Sequence, residues 1–77
     1  MIEAQCRAAR ALLGWSQSDL ANHVKVAPLT IKRMESGQPN VSDEVRDRVR
    51  AALESAGVEF IAENGGGAGV RLRTTSK

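Results

Sequence analysis

Apolar residues recur along this chain with two periods. Ile2, Cys6, Ala9 and Leu13 fall at i, i+4, i+7 and i+11, the spacing that lines one side of a helix, with Glu3, Gln5 and Arg7 outside and Gly14 as the stop. Leu20, Ala21, Val24, Val26, Ile31 and Met34 carry the helical pattern through two short helices whose apolar stripes meet. Val45, Val49, Ala52, Leu53 and Ala56 predict a fourth helix, with Ser42 as its N-cap, Asp43 and Glu44 at the positive end of its dipole, and Gly57 as its end. Glu44 and Arg48 form an i, i+4 pair on its outer side. After Gly57 the period shortens. Val58–Glu63 and Gly69–Arg73 are short runs with β-branched or aromatic residues, separated by Asn64-Gly65-Gly66-Gly67-Ala68, which is a hairpin pattern. The alternative for this end of the chain is a flexible tail after residue 63, and Thr74–Lys77 are expected to fray.

The second and third helices are joined by a tight turn. Ser16 and Asp19 have the capping-box spacing, and Pro28 suits a helical first turn, where its missing N–H costs nothing. With the apolar stripe turned inward, Pro28, Leu29, Lys32, Arg33 and Ser36 share the outer side of the third helix. Two long cations and an exposed apolar group suit the major groove, where Arg pairs with guanine edges and apolar groups meet the thymine methyl. The stretch Ser16–Gly37 is therefore a helix-turn-helix.

Composition narrows the class further. At 77 residues the chain is one small domain, near the size at which a single core is marginal and a partner chain helps. The net charge of +2 permits a polyanionic partner without requiring one. Cys6, the single cysteine, has no internal disulfide partner and fits a small core position. The first helix is broken by Glu3, Arg7 and Arg10, unlike a signal peptide or a membrane span, so a cytoplasmic protein with no membrane contact is expected. Arg10 lies on the inward flank beside Cys6 and Leu13, where it needs a counter-charge. Glu35, on the core-facing flank of the third helix, is its candidate partner, the alternative being an Arg10 that snorkels to solvent. Trp15 reads as a lid over the core, and His23 as a surface residue lacking a second ligand at metal spacing. No metal site, cofactor or catalytic constellation is expected, and the glycines do not spell a nucleotide loop.

Residues Gln5 to Leu53 resemble the XRE family, the lambda-repressor-like helix-turn-helix domains of phage and bacterial regulators. Arg10, Leu13-Gly14-Trp15-Ser16-Gln17, Leu20-Ala21, Val26, Thr30-Ile31, Arg33, Glu35 and Gly37 carry the resemblance. It implies a mainly α fold, a compact four-helix bundle here extended by a C-terminal β-hairpin, with the third helix laid in the major groove of double-stranded DNA. By matching positions, Gln17 contacts phosphate at the start of the second helix. Pro28, Leu29, Lys32 and Arg33 would face base edges or the adjoining backbone, as would Thr30, and Gln38 and Asn40 would reach phosphate. Lys25 stands where the family most often has Gly, and Ala27 replaces the usual Ser or Thr cap. Lys25 and Ser36 complete the expected DNA-contacting set.

Residues 1–57 are thus read as the DNA-binding domain, with its helix-turn-helix at 16–37, and residues 58–77 as a hairpin extension. Two strands alone leave both edges open, so the hairpin is expected to pack on the helices and to pair with a second copy. Val58, Phe60, Ile61, Val70 and Leu72 are its candidate dimerisation residues. The expected function is that of a dimeric repressor, with Arg33 and its neighbours supplying specificity. The alternatives are an antitoxin or mobile-element control protein that binds DNA with a protein partner, and a helical adaptor that makes protein contacts only.

Overall fold

A computed structural model describes residues 3–38, 40–62 and 65–73. Helices α1 (Glu3–Leu13), α2 (Gln17–Val24), α3 (Pro28–Glu35) and α4 (Asp43–Ser55) are followed by strands β1 (Val58–Ile61) and β2 (Gly69–Leu72). The mainly α bundle with a C-terminal hairpin is the architecture expected. Ile2, Pro39, Glu63, Asn64 and Thr74–Lys77, which figure in the expected stripe, loops and frayed end, lie outside the described residues.

The chain punctuates its helices with local chemistry. Gly14, at φ 70°, closes α1 with the two hydrogen bonds of a Schellman turn, Gly14 N–H to the Ala11 carbonyl and Trp15 N–H to that of Arg10. Ser16 then opens α2 with a complete capping box: the Asp19 N–H donates to Ser16 Oγ at 3.0 Å and the Ser16 N–H to Asp19 Oδ2 at 2.9 Å. Gly37, at φ 77°, repeats the Schellman arrangement after α3. Ser42 Oγ accepts the Val45 N–H at the start of α4.

The core is aliphatic and lies where all four helices face inward. Cys6 and Ala9 come from α1, Leu20, Ala21 and Val24 from α2, Ile31 and Met34 from α3, and Val49 and Leu53 from α4. Val58 joins them from the hairpin, with Phe60 and Val70 packed against the cluster. The strands are antiparallel, pairing Val58 with Leu72, Glu59 with Arg71, Phe60 with Val70 and Ile61 with Gly69. Cross-strand pairs share a face. The Phe60–Val70 pair therefore turns to the helices, and Glu59 and Arg71 meet in a 2.8 Å salt bridge on the opposite face.

Three expectations are corrected. Gln5, placed outside by the period, is buried, because its amide reaches the hairpin and donates to the carbonyls of Ile61 at 3.1 Å and Gly69 at 2.9 Å. Arg48 does not pair with Glu44; it spans to the end of α2 and donates to the Val24 carbonyl at 2.5 Å, an acceptor the helix itself leaves open. Ala56 is exposed, since the chain leaves the helix there to enter the hairpin. The hairpin itself is docked, not a loose tail. Besides Gln5, Arg73 Nη2 donates to the Glu54 carbonyl at 2.5 Å, and the Arg50 guanidinium sits 5.4 Å from the Phe60 ring centroid.

Candidate nucleic-acid interface

Helix α3 is held from behind by Glu35. This carboxylate is 4% exposed and accepts Arg10 Nε at 2.6 Å, Arg10 Nη2 at 2.8 Å, Gln17 Nε2 at 3.1 Å and the Cys6 thiol at 3.2 Å. Arg7 Nη1 adds a 2.6 Å bond to the Glu35 carbonyl, and Arg10 Nη1 ties the Trp15 carbonyl at 3.1 Å. Residues of α1, the α1–α2 turn, α2 and α3 are thereby joined around one charge, and the two-pronged contact fixes orientation as well as distance. Burial pushes the Glu35 carboxyl up, but hydrogen bonds from Arg10, Gln17 and Cys6 outweigh it and hold its pKa below the usual carboxylate value. Burial, the bond to Glu35 and its negative charge push the Cys6 thiol up to about 12, so it is a protonated donor.

The turn before α3 is less well finished. Lys25 adopts the left-handed conformation at φ 66° and ψ 46°, its N–H reaching the Ala21 carbonyl, in a place where glycine is the unstrained choice. Ala27 occupies the N-cap of α3 with no side-chain hydrogen bond, and Pro28 follows inside the first turn. Above this turn Trp15, half-buried against the core, stacks on His23 with ring centroids 4.0 Å apart and an interplanar angle of 9°. Among the described residues no cluster of His, Cys, Asp and Glu could hold a metal ion.

The front of α3 is different in kind. Pro28, Leu29, Lys32, Arg33 and Ser36 are all exposed, Leu29 at 51%, while Ile31, Met34 and Glu35 fill the inner side and Thr30 is intermediate. Ser36 Oγ turns back to the Lys32 carbonyl at 2.8 Å. Lys25, Gln38 and Asn40 are exposed beside the helix. Gln17 is half-buried, and its bond to Glu35 leaves the second amide hydrogen of Nε2 for another acceptor.

The arginines decide what this face is for. Arg7, Arg10, Arg46, Arg48, Arg50, Arg71 and Arg73 each donate to a carbonyl or carboxylate of the protein. Arg33 makes no such bond with any described residue, and neither do the side chains of Lys25 and Lys32. Among the described residues, the unpartnered Lys and Arg side chains stand on and beside the front of α3.

The helix-turn-helix family profile matches residues 7–55, a span that contains Glu35, its partners Arg7, Arg10 and Gln17, and the whole of α3. The chain belongs to the XRE-type helix-turn-helix family. As a member of that family it is a DNA-binding regulator. No curated protein matches the chain. No helix among the described residues is long and apolar enough to cross a membrane.

The interaction set visible in sequence is the Arg10–Glu35 pair, now seen with its geometry. Sequence reasoning missed the parts played by Gln5, Arg7 and Arg48, whose acceptors are backbone carbonyls of distant elements. For Gln5 a signal existed: it lies four residues before Ala9, on the edge of the buried stripe. Of the five hairpin residues expected at a dimer contact, Val58 belongs instead to the monomer's own core and Phe60 and Val70 pack against it. Ile61 and Leu72 remain exposed, at 37% and 47%.

Proposed function

We propose that this helix-turn-helix protein is a transcriptional repressor that binds an inverted-repeat operator as a homodimer. The front of α3 enters the major groove of each half-site. The observation that carries this reading is the isolation of Lys32 and Arg33 as unpartnered cations flanking exposed Leu29, on a helix whose back is fixed by Glu35. A free cation on a rigid helix keeps its hydrogen-bonding capacity for DNA, and an apolar group beside it discriminates thymine. Gln17, oriented by Glu35, offers its remaining N–H to phosphate at the start of α2.

The second copy docks through the hairpin, where Ile61 and Leu72 leave apolar surface beside strand edges that pair with no third strand among the described residues. Footprinting of the full chain on the DNA upstream of its own coding sequence, with sedimentation mass measured in parallel, tests both parts. Two protected half-sites related by a dyad and a mass of two chains are expected. Equal affinity for that DNA and for random duplex overturns the operator-specific reading, and a bound mass of one chain overturns the dimer.

A further inference from the structure

Beside the front of α3 lies a recess of about 210 Å³ lined by Thr30, Arg33, Asn40, Val41, Ser42 and Val45. We propose that this recess is a phosphodiester subsite anchored by Arg33, so that Arg33 grips the DNA backbone and sequence is read by its neighbours Leu29 and Lys32. The inference rests on the assignment of α3 to DNA made above and gives Arg33 a different task from the base-reading one that its sequence position suggests.

The chemistry of the lining selects the ligand. Arg33, Thr30, Asn40 and Ser42 are its polar members; each can donate a hydrogen bond and none carries negative charge. Ser42 Oγ already accepts the Val45 N–H, which leaves the hydroxyl hydrogen free to donate outward. Val41 and Val45 supply an apolar wall that both pack against the core and keep water from one side of the recess. Convergent donors around a cationic fork suit the oxygens of a tetrahedral anion, and Arg, Ser, Thr and Asn are the side chains that hold phosphate in duplex complexes.

Position on the helix selects the source of that anion. Thr30 and Arg33 are three residues apart and share the flank of α3 that faces the segment leading into α4, whereas Leu29 and Lys32 reach the solvent side away from that flank. A duplex that receives α3 in its groove brings its sugar-phosphate backbone along the helix flank and its base edges to the crest. Arg33 is free to turn into the recess, because its side chain has no partner among the described residues to give up.

The test uses the full chain and two duplexes, the footprinted operator and a random sequence, with affinity measured across a salt series. Arg33→Ala is expected to weaken both by the same factor, about tenfold, and to lower the slope of log affinity against log salt by about one. Base preference across single-position operator variants stays unchanged. Arg33→Lys restores the salt slope, and Thr30→Val, which keeps the shape and removes the donor, weakens both duplexes about threefold. The thermal midpoint of each variant stays at the wild-type value, because none of these side chains makes a hydrogen bond with a described residue.

A selective loss of operator affinity in Arg33→Ala, with preference flattened at one base pair, makes Arg33 a base reader and overturns the inference while leaving the regulator reading intact. A wild-type chain that binds neither duplex overturns the regulator reading itself. Inorganic phosphate that binds the wild-type chain, and is lost in Arg33→Ala, yet leaves duplex affinity unchanged at matched ionic strength assigns the recess to a free anion, and the duplex assignment then fails.

Discussion

The two sides of α3 treat charge in opposite ways. Behind the helix a single carboxylate gathers donors from Arg10, Gln17 and Cys6, and the carbonyl of the same residue takes Arg7. In front, the side chains of Lys32 and Arg33 make no hydrogen bond or ion pair with any described residue. Desolvation accounts for the first arrangement, since a carboxylate 4% exposed is tolerable only when paired and hydrogen-bonded. Water satisfies the front cations at no cost to the fold. The difference separates the charges that hold the protein together from those that make no bond within its described residues.

The largest predicted effect breaks the back of this arrangement. Arg10→Ala leaves the Glu35 carboxylate buried without its counter-ion and is expected to lower stability by about 3 to 5 kcal/mol, against less than about 0.5 kcal/mol for Lys32→Ala or Arg33→Ala. Urea unfolding of the three variants measures the contrast; similar losses for all three erase it. Acid gives a second view of the same charge. The folded Glu35 pKa lies below its unfolded value near 4.5, so its contribution is complete above that pH and disappears as the pH falls through the folded value. Stability is therefore expected to fall on acidification below about 4.5 in the wild type and to fall less in Glu35→Gln, whose lower plateau reflects the lost ion pair. Parallel pH profiles for the two proteins contradict the assignment.

Next in size is the latch between α1 and the hairpin. Gln5→Ala removes the amide that serves the carbonyls of Ile61 and Gly69, and a cost of about 1 to 3 kcal/mol is expected. Hydrogen exchange separates this from the Glu35 effect. In the Gln5 variant the amides of β1 and β2 lose protection first, while those of α3 keep theirs. Uniform loss across the chain makes hairpin and helices one cooperative unit and removes the distinction between them.

What the sequence made legible follows from locality. Helix periods, the Ser16–Asp19 box, the glycine stops at 14 and 57 and the hairpin pattern are all set within a few residues, and each is present. The Arg10–Glu35 pair was legible although its members lie on different helices, because a charge on an apolar stripe demands a counter-charge and few were available. Gln5, Arg7 and Arg48 escaped because their acceptors are main-chain carbonyls, which every residue carries and no side-chain pattern marks. The recess beside Arg33 escaped for a related reason. Its walls come from residues 30–33 and 40–45, brought together by the angle between α3 and the segment before α4, which no local spacing encodes.

Smaller effects belong to the turn that aims α3. Ala27→Ser supplies the missing cap and is expected to raise stability by about 1 kcal/mol, visible as a higher urea midpoint with an unchanged slope. Lys25→Gly should add less. Releasing a left-handed non-glycine residue gains roughly 1 to 2 kcal/mol, but glycine returns roughly 0.5 to 1 kcal/mol of chain entropy to the unfolded state, leaving a net gain near 0.5 kcal/mol. The same substitution removes an exposed, unpartnered cation from the edge of the α3 face. If that charge is the reason a strained lysine stands in a glycine's place, Lys25→Gly becomes slightly more stable while its affinity for all duplexes drops and its salt slope flattens. Lys25→Asn, which tolerates the left-handed conformation without the charge, should reproduce the binding loss. Undiminished DNA affinity in both variants would leave Lys25 on the structural side of the comparison, a turn residue whose charge does nothing for the front of α3.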